Sequence, residues 1–176
     1  TDRKTRAELL DEGLDILTGL WRGRPFNYAG KHYQIKETRF SPPPPPVQKP
    51  RIPIWVVGAW PREKSMQRVL RYDGLLPAVM GDDGKVQMRP ATPDELRAMT
   101  AYVVAHRTET TPFDVVVEGK TLGHDRAQAA AVPNAVVPNA VVPNADIIRS
   151  QAEAGATWWI EALWEERDPE HWRTRL

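Results

Sequence analysis

Cysteine is absent from the 176 residues. That excludes disulfides, thiolate nucleophiles and cysteine-held metals, and a cytoplasmic protein is expected. No apolar stretch approaches the roughly 18 residues a membrane-spanning helix needs. The polar opening TDRKTRAELL reads as helical rather than as a signal peptide, and no membrane partner is expected. Neither sign of charge is in excess: 24 Lys and Arg against 23 Asp and Glu leave a formal +1. A dedicated nucleic-acid surface would need a basic surplus on one face. Gly-x-Ser-x-Gly and Gly-x-x-x-x-Gly-Lys-Ser/Thr are both missing. His32, His106, His124 and His171 are scattered without ligand spacing, so neither a nucleophile nor a metal site is expected. Asp82-Asp83-Gly84 is short of the spaced acids of a calcium loop and reads as a solvated turn.

What is present suits one ordinary domain, with 41% hydrophobic residues to build a core. The most informative stretch is PRIPIWVVGAWPREKSMQRVLRYDGLLP, residues 50–77. Ile54 to Val57 is a short apolar run between Pro53 and Gly58, as expected of a strand buried on both faces. Gly58 reads as the turn that follows. Pro61 suits a first helical turn, and Met66, Val69 and Leu70 fall on one helical face. A second strand opens at Asp73-Gly74.

The same alternation continues along the chain. Strands are predicted near 54–58, 74–79, 113–118 and 157–163, and helices near 61–71, 93–106 and 145–154. Thr92-Pro93-Asp94-Glu95 is a strong helix start. Before them come a helix from Thr5 to Trp21, capped by Asp2 or Thr5, and a hairpin from Phe26 to Ile35 around Ala29-Gly30-Lys31. Residues 41–53 form a proline-rich spacer, and residues 132–145 repeat VPNAV, which reads as an expanded surface loop. Strands separated by helices imply a parallel sheet with right-handed crossovers. Four of them make an α/β half-barrel, part of a (β/α)8 TIM barrel.

Pro50, Pro53, Ile54, Trp55, Val56, Gly58, Tyr72, Asp73 and Gly74 carry a resemblance. They match the proline-rich approach, P-I-W-V-G-G type strand and Y-D-G strand start of the luciferase-like flavin-dependent monooxygenases and their deazaflavin-using relatives. The helix ELLDEGLDILTGLWRG, the hairpin FNYAGKHYQI, and downstream PFDVVVEG and AGATWWIEALWEE follow in family order. The resemblance implies the carboxyl-terminal half of such a barrel. It also implies an oxidoreductase using FMN, or alternatively a deazaflavin coenzyme, on a small organic substrate. The alternative is a non-catalytic half-barrel remnant that binds flavin weakly or serves as an oligomerising module.

Site candidates come from strand ends. Gly58, Ala59 and Trp60, with Arg62 and Ser65 in the next helix turn, are the expected cofactor contacts; Glu118, Trp158 and Glu161 are substrate or rim candidates. Trp158 and Trp159 must point to opposite faces of one strand. Asp73-Gly74 and His106 are expected to be structural. Four parallel strands leave two open edges, which predicts a homodimer or association with an amino-terminal half-barrel.

Overall fold

A glycine, a proline and a helix cap set the boundaries of most elements. The computed structural model describes residues 2–39, 46–119 and 144–162. The chain divides into two units, residues 1–53 and 54–176.

In the first unit, α1 spans Arg3–Leu20, with Asp2 as its N-cap, accepting the Thr5 N–H at 3.0 Å. The hairpin is β1 (Phe26–Ala29) antiparallel to β2 (Gln34–Thr38). It is pinned to α1 by two carboxylates. Glu12 accepts the N–H groups of Lys31, His32 and Tyr33 at 2.8, 3.0 and 2.9 Å, while Glu8 takes Lys31 Nζ at 2.7 Å and His32 Nε2 at 2.8 Å. The Lys31 and His32 hydrogen bonds hold the Glu8 carboxyl below its ordinary range.

In the second unit, β3 (Trp55–Trp60), α2 (Glu63–Leu70), β4 (Gly74–Val79), α3 (Pro93–His106), β5 (Asp114–Gly119), α4 (Asn144–Glu153) and β6 (Trp158–Glu161) follow in turn. The sheet order is β3-β4-β5-β6, parallel throughout. It is the expected α/β arrangement, a partial TIM-barrel-like sheet. Helices cover one face. Met66 and Val69 of α2 and Leu96, Met99 and Val103 of α3 are buried against it, and Leu96, Val115, Val117 and Ala154 form one cluster with Trp159 packed on it. Thr92 and Glu95 complete the capping box at the start of α3, and Arg89 grips the Glu95 carboxylate through both nitrogens at 2.7 Å. That grip lowers the Glu95 pKa from 4.5 to about 2.

Two expectations change here. Pro61 does not enter a first helical turn: α2 begins at Glu63 with Arg62 as N-cap. Gly58 is not a turn. The strand runs on to Trp60, and Gly58 pairs with Pro77 in its middle. A Cβ at Gly58 would lie 2.3 Å from Leu75 Cδ1, 3.0 Å from Met66 sulfur and 3.1 Å from Val69 Cγ2. Glycine is there to let α2 lie close on the sheet. The VPNAV repeat, residues 132–145, lies outside the described residues except for its last two, which open α4; residues 41–45 of the spacer lie outside them as well.

Candidate functional site

Alternation along the strands divides the sheet. Val56, Gly58, Leu75, Val115, Val117 and Trp159 face the helices. Trp55, Val57, Ala59, Leu76, Ala78, Asp114, Val116, Glu118, Trp158 and Ile160 share the other face. On that inner face Val57, Trp158 and Ile160 are 54, 53 and 39% exposed.

At the amino-terminal ends of the strands the inner face is filled. Trp55 Nε1 donates to Asp114 Oδ2 at 2.9 Å and Trp158 Nε1 to Asp114 Oδ1 at 3.0 Å, so one carboxylate holds two indoles. Their rings lie 5.7 Å apart, tilted by 50°. Gly74 makes room for them, since a Cβ there would meet Trp55 Cδ1 at 2.4 Å. Asp73 locks the same end: its Oδ2 accepts the Ile54 N–H at 2.8 Å, and its carbonyl accepts the Asp114 N–H at 2.8 Å. The Asp73-Gly74 pair is therefore structural, as expected.

At the carboxyl-terminal ends the inner faces of β3 and β4 carry only small side chains. Ala59 and Ala78 are register partners and form a shelf with nothing larger than a methyl group. Beyond it, Arg62 donates from Nη2 to the carbonyl of Gly84 at 2.9 Å. Gly84 lies in the tight loop after β4, with φ +72°. The loop is closed by Gly81 N–H to Lys85 O at 2.8 Å and Gly84 N–H to Gly81 O at 2.9 Å. Among the described residues, no carboxylate forms an ion pair with Arg62.

The eight candidate residues thus separate. Ala59, Glu118 and Trp158 lie on the inner face, Trp158 at its amino-terminal floor rather than at the rim, and Arg62 stands beyond the strand ends. Gly58 is under α2. Trp60 turns to the helix side, edge-on to Tyr102 at 5.9 Å. Ser65 is committed to β3: its hydroxyl accepts the Ala59 N–H at 2.9 Å and donates to Val57 O at 3.3 Å. The Ala59 N–H is therefore already used. Glu161 also faces the helices, accepting Trp159 Nε1 at 3.1 Å. Its parity with Trp159 along the strand carried that signal. Trp158 and Trp159 do take opposite faces. His106 is structural at the end of α3, with Nδ1 2.8 Å from Tyr102 O and its ring stacked on Tyr102 at 4.1 Å.

Sequence reasoning missed Asp114 and Ala78. Both are recoverable from register: Asp114 opens its strand as Gly74 opens its neighbour, and Ala78 lies beside Ala59 once β3 and β4 are aligned in parallel. Among the described residues no group of three His, Cys, Asp or Glu is placed to hold a metal, and no helix is long and apolar enough to cross a membrane.

A parallel sheet backed by helices on one face and open on the other is part of a TIM-barrel-like α/β fold. The chain belongs to the luciferase-like monooxygenase family, which matches residues 1–174. An uncharacterized protein of Mycobacterium tuberculosis is 33% identical over 115 residues, covering 64% of this chain and 34% of its own length. An uncharacterized protein of Mycobacterium bovis matches to the same extent. The chain's match thus spans about a third of these curated relatives.

Proposed function

We propose that this chain is the carboxyl-terminal portion of an oxidoreductase acting on a small organic substrate, with reduced FMN and dioxygen as the oxidant, or alternatively with a deazaflavin coenzyme that exchanges hydride with the substrate. The observation that carries the reading is the contrast along the inner face. Its amino-terminal end carries two tryptophans, whereas Ala59 and Ala78 present only methyl groups at its carboxyl-terminal end, where a flat ring would lie.

The residues present fit such a group at the level of their chemistry. Arg62 would hold a cofactor phosphate, being a guanidinium with a neutral partner at the start of a helix whose first N–H groups favour anions. Ala59 and Ala78 would face the ring, and Val57 and Ile160 would keep water from it. Glu118, on the inner face at the carboxyl-terminal end of β5, would orient the polar part of a substrate. Bound there, reduced FMN would pass two electrons to dioxygen, or a deazaflavin would exchange a hydride with the substrate, chemistry that the side chains of this chain do not supply. The rest of the inner face would be covered by further strands of the same barrel, from an amino-terminal half or a second copy.

Purification tests the reading. A yellow protein that releases FMN or a deazaflavin on denaturation supports it. A colourless protein that takes up neither is what the alternative, a non-catalytic oligomerising module, requires.

A further inference from the structure

The amino-terminal side of the helical layer holds an open groove of about 460 Å³ between the end of α3, the loop after it and the segment leading to β6. Val103, Val104, Phe113 and Val115 supply apolar walls. Arg107, just past α3, supplies the charge. Its guanidinium is fixed in place: Nη1 donates to the carbonyls of Glu109 and Thr111 at 2.7 and 2.8 Å, and Nη2 donates to Thr111 Oγ1 at 2.8 Å. It also lies over the Phe113 ring, 5.0 Å from the centroid.

Every one of these acceptors is neutral. Glu109 turns its carbonyl to the guanidinium and forms no ion pair with it. Among the described residues Arg107 has no carboxylate partner, and its buried Nε–H has no acceptor at all. Arg107 is half-buried, and a partly desolvated cation beside an apolar wall gains from a carboxylate partner.

We infer that this groove is a binding site for a small apolar carboxylate, such as a medium-length fatty acid or an aromatic acid. The carboxylate pairs with Arg107, and the apolar part lies along Val103, Val104 and Phe113. The volume is within the range of small-molecule pockets. The site is at the opposite end of the strands from Ala59, Ala78 and Arg62, and it stands whether or not a flavin binds there.

Titration of the isotope-labelled chain with sodium octanoate, followed by amide NMR, tests the inference, with octanol as the uncharged control. Octanoate is expected to bind saturably, shifting Thr100, Phe113 and Thr157, at least about tenfold more tightly than octanol, the scale of one charge-assisted contact. Arg107→Gln should remove that preference. Because Arg107 also staples its loop, Val104→Glu is the second variant. Val104 is 83% exposed, so the change leaves the core intact while placing a negative charge at the groove wall. It should weaken octanoate more than octanol, since both lose an apolar wall and only the carboxylate also meets the new charge. Absence of saturable octanoate binding, equal binding of octanoate and octanol, or octanoate binding unaffected by Val104→Glu would each overturn the inference.

Discussion

The Ser65 hydroxyl accepts the Ala59 N–H at 2.9 Å, tying the first turn of α2 to the last residues of β3. A serine six residues beyond a strand residue would otherwise read as a phosphate ligand. Here it is a clamp on backbone. Ser65→Ala is expected to lower stability by about 1 kcal/mol, the order of one hydrogen bond, in urea unfolding. Flavin affinity of the folded protein should be unchanged.

Gly58 sits under α2 with Leu75 Cδ1 only 2.3 Å from where a Cβ would be. Gly58→Ala should therefore cost about 1–3 kcal/mol through overpacking, and Gly58→Val more. Thermal unfolding measures it. Wild-type stability in Gly58→Val would mean that α2 is not held closely against β3 and β4.

Asp114 holds the indoles of Trp55 and Trp158 together. Asp114→Ala leaves both N–H groups without their acceptor, which should cost about 1–3 kcal/mol. Tryptophan fluorescence should shift to the red as Trp158 swings outward. Asp114→Asn, which keeps one carbonyl acceptor, should have a smaller effect on both readings.

The Glu95 carboxylate carries an acid dependence with a definite sign. Its pKa falls from 4.5 to about 2 on folding, chiefly through its hydrogen bonds from Arg89. A depressed carboxylate pKa gives stability that is fully present above about pH 4.5 and lost as pH falls toward 2. Glu95→Gln keeps the capping box but has no charge. The melting-temperature difference between wild type and this variant should thus shrink steadily from pH 5 to pH 2. A difference constant over that span would show that the Arg89 pairing does not contribute.

The elements were largely legible in the sequence because each has a local cause. Thr92 and Glu95 cap α3, Asp2 caps α1, and Asp73-Gly74 marks the start of β4. The site was less legible. Gly58 follows an apolar run and so reads as a turn, because a sequence does not distinguish a glycine that turns the chain from one that lets a helix approach it. The Trp55–Asp114–Trp158 arrangement joins residues 59 and 44 positions apart, which only the parallel register brings together. Glu161 was assigned by its nearness to a strand end, where counting parity from Trp159 would have put it under the helices. Arg62 follows β3 directly, so its place beyond the strand ends needs no tertiary information.

The exposed inner face bears on association. Val57, Trp158 and Ile160 are apolar or aromatic side chains exposed together on one face, an arrangement that favours association. Light scattering on the purified chain should therefore show a dimer or larger species, unless an amino-terminal half-barrel is supplied. A monodisperse monomer that fails to bind a hydrophobic dye would show that the face is covered by the chain itself.

The shelf at Ala59 and Ala78 is the centre of the functional account, and filling it is the most direct test. FMN and a deazaflavin coenzyme should be titrated, by fluorescence, against wild type, Ala59→Leu and Arg62→Ala. The account predicts saturable quenching by wild type with at least one of the two. It predicts loss of binding in Ala59→Leu and a weakening of about tenfold or more in Arg62→Ala, the scale of one charged hydrogen bond. Flavin affinity unaltered in both variants would contradict it.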